Sequence, residues 1–208
     1  MIDKWLSKTK FKILVEKIVK RLFYNKISAN QITIIALIIG LISAFSIFLS
    51  GILIWRTQLI ICAATLMLIS FFFDALDGAL ARLIRPTTFG GILDIFCDRT
   101  VEVTIIISLI STDPLMLMWP GLFSLGAIVL CLSMFLLMGA AIKEDELNEL
   151  EKVIYYRSGL MERSETFLFL FFSTIFVSIR FLLLWIFAGL VFFTAILRLK
   201  DAYILLKA

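Results

Sequence analysis

From Gln31 to Leu206 the chain is a succession of apolar runs, each close to the ~20 residues that a helix needs to cross a bilayer. Backbone groups in hydrocarbon have no water to bond, so such runs must be helices or closed barrels. Runs of this length, without two-residue alternation, leave only helices. The spans expected are 31–52, 56–83, 90–112, 115–141, 164–183 and 184–206. At 62% hydrophobic the 208 residues far exceed a soluble domain. No Pro/Gly/Ser-rich linker divides them, so one compact bundle is expected over 28–208. The fold class is therefore an all-α membrane protein with six transmembrane helices.

Residues 1–27 differ. Trp5, Phe11, Leu14, Ile18 and Leu22 can share one helical face, with Lys4, Lys8, Lys12 and Lys17 mainly elsewhere. The pattern predicts an amphipathic helix lying in the membrane surface, its lysines at anionic headgroups. The stretch is too charged for a signal peptide and lacks a compact apolar core with a cleavage site.

All of the 20 Lys and Arg except Arg56 and Arg180 fall on the side of the termini and the 2–3 and 4–5 connections. By the positive-inside bias, both termini are expected in the cytoplasm. The net charge of +4 follows this topology and is not a nucleic-acid footprint.

Against this background Asp74, Asp77, Asp94 and Asp98 stand out. Each carboxylate in hydrocarbon costs about 2.5–3.5 kcal/mol on insertion scales, so four grouped on two neighbouring spans require compensation. Asp74 and Asp77 are three apart and share a helical face, which Gly78 and Ala81 continue with almost no side chain before Arg82. Asp94, Asp98 and Glu102, four apart, form a second stripe. The short stretch RLIRPTTFGG makes the two helices antiparallel neighbours, so two acidic stripes face each other across a gap lined by small residues. Oxygen donors without histidine, which the chain lacks entirely, suit hard cations such as Mg²⁺ or Mn²⁺. Two such ions bridged by carboxylates would leave open positions for phosphate oxygens. The absence of histidine also excludes Ser-His-Asp triads and His-ligated zinc. Cys62, Cys97 and Cys131 lie in apolar runs and read as packing residues.

The same acids also fit an ion-pair network with Arg82, Arg85 and Arg99, or a membrane cation-binding or transport protein. The clearing at Gly78 and Ala81 beside an arginine favours a bulky anionic ligand instead. No comparable acid lies in the middle of spans one, four or six to continue a conduction path.

The stretch from Asp74 to Asp98 resembles the signature of the CDP-alcohol phosphatidyltransferase family, D-x2-D-G-x2-A-R-x8-G-x3-D-x3-D. It is met by Asp74, Asp77-Gly78, Ala81-Arg82, Gly90, Asp94 and Asp98, with seven residues rather than eight between Arg82 and Gly90. Ser28-Ala29-Asn30-Gln31-Ile32-Thr33 is similar to the family's Pro-Asn-x-x-Thr opening of span one, with Ala29 in place of the proline. The resemblance implies transfer of a phosphatidyl group from CDP-diacylglycerol, or a similar CDP-lipid, to a polar alcohol with release of CMP. It implies two metal ions held by Asp74, Asp77, Asp94 and Asp98, with Asp98 also the general base for the acceptor hydroxyl. Gly78, Ala81 and Arg82 would contact the CDP moiety, and Asn30 and Thr33 would approach it, although Ser28 or Asn30 equally suits a plain helix cap. The family pattern also suggests a homodimer packed through spans three to six.

For the acceptor, Arg163 at the mouth of span five could join Arg85 in holding a phosphate, as glycerol 3-phosphate or inositol phosphate would require. The polar connection 142–163 also reads as a solvated helical turn, and its acids suit a zwitterionic or cationic acceptor. The acceptor stays open at this level.

Overall fold

The computed structural model describes residues 17, 19–21, 27–84, 86–141 and 161–207. Most of the expected surface helix over 1–27, Arg85, and most of the 142–163 connection therefore lie outside the described residues. Six α-helices and one 3₁₀ turn occur among those described, and no strand. They are α1 (Ala29–Ser50), α2 (Arg56–Ile84), α3 (Thr88–Thr112), α4 (Pro114–Ala141), α5 (Arg163–Ile175) and α6 (Arg180–Lys207).

The helix starts follow local chemistry. Ser28 caps α1 in a capping box: its Oγ accepts from the Gln31 amide at 3.3 Å, while Gln31 Oε1 accepts from the Ser28 amide at 2.9 Å. With Ser28 in that role, Asn30 is not the cap. Thr87 caps α3, its Oγ1 accepting from the Gly90 amide at 3.1 Å. Asp113 Oδ1 accepts from the Met116 amide at 3.3 Å and Pro114 opens α4 as its first residue, so the expected Asp-Pro turn joins α3 to α4.

Helix α1 packs along α2 and α3, and α4 packs along α6. Contacts of α3 with α4, and of α5 with α2, α3 and α6, unite the two halves. Small residues let these backbones close up. A Cβ added to Gly40 of α1 would stand 2.6 Å from a methyl of Val101 on α3, so any larger residue would force the two helices apart. Ser70 donates across to Ala36 O at 2.7 Å and Ser43 to Ala63 O at 2.8 Å, tying α1 to α2 where the hydrophobic effect supplies little. Ile47, Met67, Ile106, Leu109, Leu170, Leu184 and Phe187 fill the shared core. Outward positions such as Ile38, Phe45, Ile61, Phe123, Leu182 and Phe193 are apolar and exposed, as in a protein whose solvent is lipid.

Among the described residues, four helical stretches are long and apolar enough to cross a membrane: Ala29–Ser50, Arg56–Ile84, Pro114–Gly139 and Val177–Ile204. Helix α3, of 25 residues, is long enough at about 1.5 Å per residue but carries the acidic stripe. Helix α5 has 13 residues, about 20 Å, less than the hydrocarbon thickness. The boundary expected at 183/184 lies instead at 176–179, where a 3₁₀ turn, Val177–Ile179, separates α5 from α6. Arg180 explains the break. It is 2% exposed, donates from Nε to Ser173 O at 2.7 Å and from Nη2 to Thr174 O at 3.0 Å, and so satisfies carbonyls that the ending helix leaves bare. Its Nη1 also reaches Thr112 Oγ1 at 2.6 Å, fastening the end of α3.

Candidate active site

Opposite the Arg180 end, the last turns of α2 and the first turns of α3 bring the acidic stripes together. One carboxylate oxygen from each of Asp74, Asp94 and Asp98 lies within 4.8 Å of the others. Asp77 stands outside this convergence. It is 5% exposed and shares with Asp94 the wall of an adjoining cavity.

That cavity, about 410 Å³, gathers the residues expected at a nucleotide. Asn30 and Thr33 come from α1, Gly78, Ala81 and Arg82 from α2, and Thr87, Gly90 and Gly91 from the start of α3. With one residue fewer between them than in the family signature, Arg82 and Gly90 still line the same cavity. Gly90 is needed for close approach, because a Cβ there would meet Thr87 Oγ1 at 2.9 Å and Asn30 Oδ1 at 3.1 Å. At Gly78 an added Cβ would meet only Arg82 Nη1, at an ordinary 3.5 Å. No tight protein contact thus forbids a side chain at Gly78; the missing side chain leaves room in the cavity. Thr87 and Gly91 were not singled out from sequence, yet a Thr-capped helix start beside an acidic stripe is a legible signal for an anion-facing first turn.

Among the described residues, the ion pairs at Asp74, Asp94 and Asp98 are made by Arg163 rather than by Arg82 or Arg99. Arg163, at the start of α5, sends Nη2 into the convergence, contacting Asp74, Asp98 and, at 3.3 Å, Asp94. Arg99 pairs with Glu102 at 2.5 Å.

A further cavity of about 190 Å³, with Asp98 on its wall, opens between α3, α4, α5 and α6. Asp98, Arg99, Arg163 and Arg198 line it with Ile128, Phe135 and Met161. Sequence reading treated Arg198 only as a topological charge. In the fold it donates to Cys131 O at 2.9 Å and its guanidinium carbon lies 5.3 Å from the Phe135 ring centroid. The available signal was an arginine well inside an apolar span, which is a functional hypothesis by default.

The carboxylate set suits a divalent cation: three oxygen donors converge, Asp77 shares a cavity wall with one of them, no imidazole competes, and Cys97 beside them is buried. The sequence profile of CDP-alcohol phosphatidyltransferases matches residues 26–197, enclosing both acidic stripes and the polar residues of both cavities except Arg198. The chain belongs to the CDP-alcohol phosphatidyltransferase family. With four membrane-length apolar helices, it is an integral membrane protein.

Among curated relatives, the chain is 36% identical over 104 residues to the archaetidylinositol phosphate synthase of Pyrococcus horikoshii. That match covers 49% of this chain and 51% of the relative, so it spans about half of each. It is 28% identical over 211 residues to the inner membrane protein YnjF of Escherichia coli, covering 100% of this chain and 98% of that one. Its fold is similar to that of Mycobacterium tuberculosis phosphatidylinositol phosphate synthase (PgsA1) with CDP-DAG bound, at TM-score 0.71 and 19% identity over 91% of this chain and 93% of that one. The structure of PgsA1 in complex with manganese and citrate gives TM-score 0.70 over 91% and 88%. At 19% identity these likenesses concern the fold.

Proposed function

We propose that the protein transfers a phosphatidyl-type group from a CDP-linked lipid to the hydroxyl of a phosphate-bearing polar alcohol, releasing CMP. The observation that carries this reading is the pairing of Asp98, on the wall of the arginine-lined cavity, with Asp94, on the wall of the nucleotide-type one, their carboxylates within 4.8 Å of each other. A donor headgroup and an anionic acceptor would meet there.

The CDP moiety lies over Gly78, with Asn30 and Thr33 at its flank and Arg82 at phosphate. Asp74, Asp77, Asp94 and Asp98 hold two divalent ions, Mg²⁺ or Mn²⁺, which when bound neutralise the pyrophosphate and the charge that develops on transfer. Asp98 takes the acceptor's hydroxyl proton as the new oxygen–phosphorus bond forms and the bond to the CMP oxygen breaks. Arg163, Arg99 and Arg198 hold the acceptor's own phosphate, the feature that favours glycerol 3-phosphate or inositol phosphate over serine or a neutral alcohol. Arg85, outside the described residues, is expected to add to that charge.

In this reading α1, α2, α3, α4 and α6 cross the membrane, the short α5 and the 3₁₀ turn after it carry the chain between the two ends of the bundle, and the charged stripe of α3 is turned inward. The site and both termini face the cytoplasm, where CDP-lipid heads and water-soluble acceptors are both available. The lipid donor enters sideways from the leaflet, and two copies pair through spans three to six.

The test is CMP release by purified protein in detergent with CDP-diacylglycerol and Mg²⁺ or Mn²⁺. Glycerol 3-phosphate, inositol 1-phosphate, inositol and serine are offered in turn, with Asp98→Ala as control. Release that needs one phosphorylated acceptor and disappears in the variant supports the reading. Equal release with the unphosphorylated alcohols, or none above the variant, overturns it.

A further inference from the structure

Glu102 lies one helical turn beyond Asp98 on α3 and is 8% exposed. It belongs neither to the signature nor to the three carboxylates that meet Arg163. It borders a small cavity of about 70 Å³ between α1, α2, α3 and α5 rather than the arginine-lined one. Three residues earlier, Arg99 does line the arginine-lined cavity.

The two form a close ion pair, not an aligned hydrogen bond: Arg99 Nη1 lies 2.5 Å from Glu102 Oε2, with side-chain exposures of 29% and 10%. The cation of the pair is accessible and the anion is not. An i,i+3 spacing on one helix holds their separation, and low surrounding polarity strengthens their attraction. Arg99 shares its cavity with Arg163 and Arg198, and like charges in one small space drive a mobile guanidinium outward. A buried carboxylate behind Arg99 opposes that drift.

We propose that Glu102 is a positioning residue that anchors Arg99 in the wall of the acceptor cavity, so that three guanidinium groups converge on one anionic group of the acceptor. This inference rests on the reading of that cavity as the acceptor site. It differs from a purely structural pairing, in which Arg99 merely neutralises Glu102, in what it predicts for kinetics. Loss of the anchor weakens acceptor binding selectively, and only through Arg99.

The experiment uses the full chain in detergent with Mn²⁺ and CDP-diacylglycerol, varying inositol 1-phosphate or glycerol 3-phosphate, whichever the wild type uses. Glu102→Gln, nearly isosteric, is expected to raise the acceptor KM about tenfold, a loss of one charge-assisted contact. The KM for CDP-diacylglycerol stays unchanged and kcat stays within about threefold. Arg99→Gln does the same, and the double variant is no worse than Arg99→Gln alone. Glu102→Asp, which keeps the charge, falls between wild type and Glu102→Gln and serves if the glutamine variant fails to fold. A wild-type acceptor KM in the Glu102 variants overturns the inference, as do additive effects in the double variant or an equal fall in all parameters. A wild type that releases CMP with neither phosphorylated acceptor overturns the functional reading itself, and the inference with it.

Discussion

Arg163 hydrogen-bonds Asp98 across 65 residues of sequence. Through the same Nη2 it contacts Asp74 and Asp94, so one guanidinium from α5 gathers carboxylates from α2 and α3. Arg163 also lines the arginine-lined cavity. A divalent cation among the same oxygens would repel the guanidinium and turn it toward that cavity. Arg163→Ala is therefore expected to tighten Mn²⁺ binding severalfold, measured by electron paramagnetic resonance of free Mn²⁺, while raising the acceptor KM. Weaker Mn²⁺ binding in the variant would mean that Arg163 orients the carboxylates rather than competing for them.

Asp98→Asn keeps shape and removes the basic oxygen. Loss of a general base costs roughly 10²–10⁴-fold in rate, and loss of a metal ligand can only add to that. Turnover should fall by at least this range while CDP-lipid still binds through the Gly78 cavity. A variant retaining a tenth of wild-type kcat would remove Asp98 from the proton-transfer role.

Gly78→Ala separates fold from function. A Cβ there meets only Arg82 Nη1 at 3.5 Å, and replacing a mid-helix glycine by alanine stabilises a helix by roughly 0.5–1 kcal/mol. Thermal stability should hold or rise while the KM for CDP-diacylglycerol increases, and Gly78→Val should increase it further. An unchanged donor KM for both would show that the headgroup does not pass over Gly78.

Arg180→Met should do the reverse. It leaves Ser173 O and Thr174 O without their donor, at about 1–3 kcal/mol for each buried carbonyl. Denaturation in detergent should occur at markedly lower temperature. Both KM values, which report on the opposite end of the bundle, should change little in protein that remains folded. A variant as stable as wild type would show that other groups cap α5.

What was legible in the chain was legible because it is local. Spacings of three and four put Asp74 with Asp77, and Asp94 with Asp98, on single helix faces whatever surrounds them. Helix α1 packs along both α2 and α3, which scarcely touch each other directly despite their short connection, and so Asn30, Thr33, Gly78, Ala81, Arg82 and Gly90 reach one cavity as expected. Even there the division of labour was not visible. Ser28 takes the cap and leaves Asn30 beside Gly90, and Asp77 sits apart from the other three aspartates.

The α5–α6 boundary and the cations followed from contacts between distant segments. Apolarity runs through 164–206 almost unbroken, and only the buried side chain of Arg180, bonded back to α5 and across to Thr112, ends one helix and begins the next. Arg198 looked like a topological charge, and Arg163 like an acceptor-phosphate candidate rather than a partner of the aspartates, because a hydropathy pattern records which side of a membrane a charge prefers, not which partner it meets. The sequence by itself determined a helical membrane bundle, its family and its facing acidic stripes, since period and length act within a helix or between neighbours. Tertiary structure alone decided which arginine enters the carboxylates and which ones line the cavity at Asp98. Those positions depend on how α4, α5 and α6 pack on α3, and packing is set by the shapes of all the surfaces together.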